Sequence, residues 1–107
     1  MQQINVTELA EWLADEKSPR PQLIDVREAH EWDICHIAGS QHVAMNTIPD
    51  RLEELDPSRP LVCICHHGGR SMQVAIFLSR NGFGEVYNMS GGVEAWATQI
   101  DTTMARY

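Results

Sequence analysis

The sequence has few basic residues, no long apolar run and few cysteines. Lys and Arg total 8 against 15 Asp and Glu, which gives a formal net charge of −7 at pH 7. Proteins that bind nucleic acid need a basic face, so this balance argues against nucleic acid as the main partner. No apolar stretch is long enough to cross a bilayer, and the N-terminus lacks the basic and apolar regions of a secretory leader. We therefore expect a cytoplasmic protein without a membrane partner.

The three cysteines are odd in number and irregularly spaced, which is not typical of a secreted disulfide framework. Reduced thiols are the simpler expectation. A length of 107 residues suffices for one hydrophobic core and is too short for two. The sequence therefore predicts a single domain over residues 1–107.

Short apolar runs alternate with segments that have helical periodicity. Strands are predicted at 3–6, 22–26, 40–44, 61–64 and 86–89. Helices are predicted at 7–16 with Thr7 as the N-cap, at 28–33, at 47–55, at 71–78 and from Gly92 onward. This alternation indicates an α/β fold with three layers and a mostly parallel sheet.

The clearest functional signal is the connection between the apolar strand 61–64 and the helix after it. It begins at Cys65 and contains two glycines, Gly68 and Gly69, followed by Arg70. In such a loop the backbone N–H groups converge at the positive end of the helix. A cysteine placed there beside cationic groups ionises readily to the thiolate. The pattern therefore predicts that Cys65 is a nucleophile.

The order Cys-x-x-Gly-x-Arg-Ser over residues 65–71 resembles the active loop of rhodanese-like sulfurtransferases. Further segments resemble that family in the same order along the chain: 23–28, 31–32, 36–40, 82–83, 86–87 and 91–96. The resemblance covers most of the chain. It implies a five-stranded, mostly parallel sheet with helices on both faces, and an active cysteine at the carboxyl end of a strand.

The resemblance also implies a chemistry. Cys65 would take sulfur from a small anionic donor such as thiosulfate, hold it as a persulfide and pass it to an acceptor, which could be a thiol or a sulfur-carrier protein. The loop would form the substrate-binding cradle, made by His66, His67, Gly68, Gly69, Arg70 and Ser71. No metal and no organic cofactor are implied.

Three other functions stay open at this point. Phosphatases and arsenate reductases have a similar loop, but theirs resembles Cys-x5-Arg, whereas Arg70 is the fifth residue after Cys65, a shorter spacing that favours sulfur transfer. A metal-binding module would use Cys63, Cys65, His66 and His67, whose spacing does not match that of structural zinc sites. A non-catalytic interaction domain of this fold typically lacks the loop cysteine, which is present here.

A few residues outside the loop are expected to support it. Asp25, Arg27 and Glu31 are interpreted as pairing or capping residues around the crevice, and not as catalytic groups. Cys35 stands where the family motif commonly has glycine. This departure leaves open a second role for that thiol, in which it resolves the persulfide by forming a disulfide with Cys65.

Overall fold

The computed structural model describes residues 1–107 and contains one five-stranded sheet. The strands are β1 (Gln2–Ile4), β2 (Gln22–Asp25), β3 (Gln41–His42), β4 (Leu61–Ile64) and β5 (Val86–Met89). They lie in the order β1-β5-β4-β2-β3, and every neighbouring pair is parallel. The predicted α/β fold with a five-stranded sheet is confirmed, and the sheet is wholly parallel. This order places β4 in the centre.

Helices cover both faces of the sheet. They are α1 (Val6–Ala14), α2 (Ala29–Ile34), α3 (Gly69–Ser79) and α4 (Gly92–Gln99), with two 3-10 helices at Met45–Asp50 and Leu52–Glu54. Apolar side chains of α1 and α4 share one core cluster, and those of α3 and the first 3-10 helix share the other. None of the helices combines the length and the apolar character needed to cross a membrane.

The central strand β4 is buried on both sides, as expected for an all-parallel sheet. Its side chains alternate between the two clusters. Leu61 and Cys63 face the cluster under α3, whereas Val62 and Ile64 face the cluster under α1 and α4. Both layers of the core thus hold β4 in place, and Cys65 follows directly at its carboxyl end.

The first helix begins earlier than the sequence predicts. Asn5, and not Thr7, is the N-cap: its Oδ1 accepts from the Glu8 N–H at 2.8 Å, and Glu8 Oε1 accepts from the Asn5 N–H at 2.9 Å. This reciprocal pair is a capping box. The prediction that Thr7 is the N-cap is wrong. A threonine hydroxyl can cap a helix, but the Asn-x-x-Glu pattern that begins two residues earlier caps this one.

The helix predicted at 47–55 is instead the pair of 3-10 helices. Pro49 lies inside the first of them and has no N–H to donate to a carbonyl four residues back. Thr47 does not cap a helix, because its hydroxyl donates to the Ala44 carbonyl at 2.7 Å. The spacing of apolar residues still brings Ile48 and Leu55 into the core. The tighter winding is therefore a local consequence of the proline.

Candidate active site

The site is built around the sulfur of Cys65, at the carboxyl end of β4. This Sγ accepts from the Gly68 N–H at 3.1 Å and from the Ser71 N–H at 3.4 Å, and the Ser71 hydroxyl lies 3.2 Å away. The residue is 1% exposed. Cys65 is therefore held at the bottom of its loop, with backbone dipoles directed at the sulfur.

The loop can curl around the sulfur because of the conformation at Gly68. This residue is the N-cap of α3 and has a φ of 111°, a left-handed conformation that residues with a side chain rarely adopt. The first residues of α3 are Gly69 and Arg70, whose N–H groups have no acceptor within the helix. The positive end of α3 thus faces the same space as Cys65 Sγ.

The back of the loop is fastened to the start of α4. The Val93 N–H donates to the Cys65 carbonyl at 2.9 Å, and the Glu94 N–H donates to the His66 carbonyl at 3.1 Å. Gly92 has a φ of +60°, and a Cβ at that position would overlap the carbonyl groups of Cys65 and His66. Two helix N-termini therefore define the loop: α3 faces the sulfur, and α4 binds the loop carbonyls.

A buried polar chain extends behind Ser71. The Ser71 hydroxyl donates to Asn88 Oδ1 on β5, and Asn88 Nδ2 donates to the Gly68 carbonyl at 3.1 Å and to Gln3 Oε1 at 2.9 Å. Ser71 and Asn88 are 0% and 1% exposed. Because buried polar groups without partners are costly, this closed network fixes the position of the hydroxyl beside Cys65.

Arg70 forms a bidentate ion pair with Glu31 of α2. Its Nη1 and Nη2 lie 2.7 Å and 2.9 Å from the two carboxylate oxygens. Hydrogen bonding to Arg70 holds the pKa of Glu31 well below its usual range, and the same hydrogen bonds with Glu31 raise the pKa of Arg70. A smaller electrostatic contribution from Cys65 acts on the pKa of Arg70 in the same direction.

The two histidines of the loop have different surroundings. His67 is exposed. The His66 ring stacks on Tyr107 at a centroid distance of 3.9 Å and contacts the tilted ring of His67 at 4.0 Å. Burial, with a smaller contribution from the neighbouring His67, lowers the pKa of His66, and Glu94 Oε2 at 3.6 Å only partly opposes this. His66 is thus packed against its neighbours on one side of the loop, and His67 lies on the outer, exposed rim of the loop.

A second charged pair lies beneath Glu31. Arg27 is fully buried and bonds Asp25, with Nη2 to Oδ2 at 2.7 Å and Nε to Oδ1 at 2.9 Å. Arg27 Nη2 also donates to the Cys35 carbonyl at 2.6 Å. These residues support the crevice structurally, as expected from the sequence. Cys35 is partly exposed and is a free thiol, and its disulfide with Cys65 stays a prediction.

The residues considered for a metal site do not gather around one point. Cys63 is fully buried in the core cluster under α3, where burial raises the pKa of its thiol. His66 is packed against Tyr107, and His67 faces solvent. No group of three or more His, Cys, Asp or Glu side chains in the structure is arranged to hold a metal ion.

Comparison with known proteins places this geometry in a family. The sequence profile of the rhodanese-like domain matches residues 5–99. The chain belongs to the rhodanese-like family. A thiosulfate sulfurtransferase GlpE of Pseudomonas fluorescens is 38% identical over 84 residues, which cover 78% of this chain and 77% of the relative.

Solved structures agree with this rhodanese-like assignment. A rhodanese-like domain protein from Staphylococcus aureus superposes with a TM-score of 0.83 at 32% identity, covering 90% of this chain and 91% of the other. A protein from Staphylococcus saprophyticus gives a TM-score of 0.84 at 34% identity, covering 94% and 97%. The fold implied by the loop motif is therefore confirmed.

Within this rhodanese-like site the predicted residues divide by position. Cys65, Gly68 and Ser71 are in direct contact, Gly69 begins α3, and Arg70 lies to one side in its ion pair with Glu31. Sequence reasoning missed Asn88 and Tyr107. An asparagine in the otherwise apolar strand β5 was a usable signal, since a buried amide needs partners. No local pattern marked Tyr107.

The Glu31–Arg70 pair predicts a specific dependence of stability on pH. Because the folded-state pKa of Glu31 lies below its ordinary value of 4.5, the unfolded chain takes up this proton first. The contribution of Glu31 to the free energy of unfolding is therefore complete above about pH 4.5 and is lost as the pH falls below that value. Urea denaturation between pH 7 and pH 3 measures this, and Glu31→Gln is expected to flatten the profile.

Glu54→Gln provides the matched control. Hydrogen bonding to Arg51 lowers the pKa of Glu54 as well, but both side chains are substantially exposed, so solvent screens the pair. We expect Glu54→Gln to change the fall in the free energy of unfolding at acid pH much less than Glu31→Gln does. Equal flattening by the two variants would contradict a special role of the Glu31 carboxylate, which is 9% exposed where Glu54 is 43% exposed.

Proposed function

We propose that this protein is a cytoplasmic single-domain sulfurtransferase that carries sulfane sulfur as a persulfide on Cys65. The observation that carries the proposal is the position of Cys65 Sγ, which accepts two backbone N–H groups at the N-terminus of α3. The name of the Pseudomonas fluorescens relative supports thiosulfate as a donor. Three free cysteines suit a reducing compartment.

The reaction divides into two substitutions at sulfur. In the first, the Cys65 thiolate attacks the outer sulfur of thiosulfate, the S–S bond of the donor breaks, and sulfite leaves with the bonding electron pair. In the second, a nucleophilic acceptor attacks the outer sulfur of the persulfide, and the electron pair returns to Cys65. Covalent catalysis of this kind replaces one difficult transfer by two easier ones. It requires no metal and no organic cofactor.

The loop would stabilise the charge in both steps. The N–H groups of Gly68 and Ser71 already point at Sγ, and those of Gly69 and Arg70, at the same end of α3, would stabilise the outer sulfur of a persulfide. Glu31 occupies one edge of the Arg70 guanidinium. The Arg70 side chain is 37% exposed. Its remaining donors would meet the sulfonate end of the donor.

The acceptor would approach from the outer rim of the loop. A groove of about 320 Å³ opens beside α3 and β5 and is lined by Gln3, His67, Gly68, Gly69, Met72, Asn88, Ser90 and Gly91. Met72 is 37% exposed in it. A small thiol, or the thiol-bearing end of a sulfur-carrier protein, would fit such an open site, and His67 would lie on its contact surface.

Intact-protein mass spectrometry tests the proposal. After incubation with thiosulfate and removal of excess donor, the wild type is expected to gain the mass of one sulfur atom. Addition of cyanide is expected to remove it as thiocyanate. Cys65→Ala is expected to gain nothing, because the remaining thiols of Cys35 and Cys63 lack the loop.

Two controls separate the outcomes. Cys35→Ala is expected to load sulfur like the wild type; if it cannot load, the persulfide is carried by another thiol than Cys65. Absence of loading on a folded wild type would reject thiosulfate as the donor, and a phosphatase assay on the same sample would then test the competing reaction class. Sulfur on Cys65→Ala would reject the assignment of the nucleophile.

A further inference from the structure

Tyr107 lies against the active loop although it is 42 positions away from Cys65 along the chain. Its ring stacks on His66 at a centroid distance of 3.9 Å and an interplanar angle of 15°. Its hydroxyl donates to Glu31 Oε1 at 2.9 Å and accepts from Arg27 Nη1 at 2.9 Å. One side chain thus joins the loop wall, the carboxylate that pairs with Arg70, and the buried guanidinium.

The carboxylate of Glu31 is fixed from several directions. Its Oε1 accepts from both Tyr107 and Arg70 Nη2, and its Oε2 accepts from Arg70 Nη1 and from the Glu28 N–H at 3.0 Å. A carboxylate with this many donors has little freedom to rotate. The plane of the Arg70 guanidinium follows from it, because the bidentate pair requires the two groups to be coplanar.

We propose that Tyr107 is a positioning residue for the donor half-reaction: it acts through Glu31 to set the orientation of Arg70 beside Cys65. The inference rests on the proposed function, in which Arg70 meets the anionic end of the donor. Arginine side chains lose much rotational freedom when they are ordered. An Arg70 that is already ordered before the donor arrives binds it with a smaller loss of entropy.

The stack on His66 supports the same role. The Tyr107 ring packs against His66 of the loop, and the Tyr107 hydroxyl extends beyond the His66 ring to Glu31. Removal of the hydroxyl alone leaves this stack in place and removes the hydrogen bonds to Glu31 and to Arg27. Tyr107→Phe therefore separates the positioning of Arg70 from the packing of the loop.

Steady-state kinetics with thiosulfate and cyanide test the inference. Tyr107→Phe is expected to raise KM for thiosulfate about three- to tenfold and to leave kcat within about twofold of wild type. Tyr87→Phe is the matched control, because the Tyr87 hydroxyl also donates to a glutamate, Glu85, at 2.9 Å. Tyr87 lies on β5, outside the site. The KM of Tyr87→Phe for thiosulfate is expected to equal that of the wild type.

A double-mutant cycle shows whether Tyr107 acts through Glu31. Glu31→Ala alone is expected to raise KM at least as much as Tyr107→Phe, and the double variant is expected to have the KM of Glu31→Ala. Effects that multiply in the double variant would overturn the inference, since Tyr107 would then act by another route. A fall of KM in Tyr107→Phe would also overturn it, because the tyrosine would be an obstacle to the donor.

Failure of this inference is distinguishable from failure of the proposed function. A wild type that loads sulfur on Cys65, together with a Tyr107→Phe variant whose KM is unchanged, would reject the role of Tyr107 alone. A folded wild type that loads no sulfur would reject the function on which the inference rests. Thermal melts of each variant confirm that the kinetic differences come from folded protein.

Discussion

Gly92→Ala is expected to abolish most sulfur transfer and to destabilise the fold by about 3–5 kcal/mol. Two costs combine. The new residue must adopt a left-handed conformation, and its Cβ would overlap the carbonyl groups of Cys65 and His66. Because these are backbone atoms, relief requires the active loop to move away from α4. Displacement of a catalytic group by about 1 Å can lower a rate about 100-fold.

Gly82→Ala serves as the control for backbone strain without overlap. Gly82 has a φ of +91°, and a Cβ there would meet no atom within 4 Å. We expect a cost of about 1–2 kcal/mol and unchanged sulfur loading. Urea denaturation and persulfide formation, measured on both variants, separate the two effects. Wild-type activity in Gly92→Ala would contradict the conclusion that α4 holds the loop in its active shape.

Arg27→Met is expected to lower the free energy of unfolding by about 3–5 kcal/mol, because it leaves the Asp25 carboxylate buried without its partner. Asp25 and Arg27 are 1% and 0% exposed, so water cannot replace the lost interaction. The substitution also removes the donor to the Cys35 carbonyl. The measurement is urea denaturation at pH 7.

Two comparisons sharpen this second test. Arg51→Met removes the partner of Glu54 in an exposed pair and is expected to cost about 0–1 kcal/mol. The double variant Asp25→Asn, Arg27→Met removes both charges and is expected to recover about half of the loss. A double variant as unstable as Arg27→Met would show that lost packing, and not the unpaired charge, dominates.

The parts of the fold that the sequence predicts well are those specified by local patterns. The continuous apolar run of β4, the glycine-containing loop and the apolar stripe of α3 are adjacent in the chain, and the structure places them as expected. The bounds of β5 also agree with the prediction. Errors occur where two local signals compete, as at Asn5 and Thr7, or where Pro49 changes the type of winding.

The candidate site divides in the same way. Cys65 and its cradle are contiguous, so the motif contains them. The groups that hold the cradle come from distant segments: Glu31 from α2, Asn88 from β5, and Tyr107. Their contacts depend on strand order and on how side chains meet across the sheet, which periodicity along the chain does not encode. A single sequence therefore predicts a candidate nucleophile and does not predict the residues that hold it in place.

The fastening of the loop to α4 has a consequence for biosynthesis. During translation Cys65 emerges before Gly92, and β4 emerges before its neighbour β5, which in turn pairs with β1 from far upstream. Such long-range pairing is slow to form, and domains fold as units once their parts are available. A nascent chain that has exposed Cys65 but not α4 carries a thiol without its closed loop. The loop around Cys65 therefore acquires its full set of hydrogen bonds only after α4 has been synthesised.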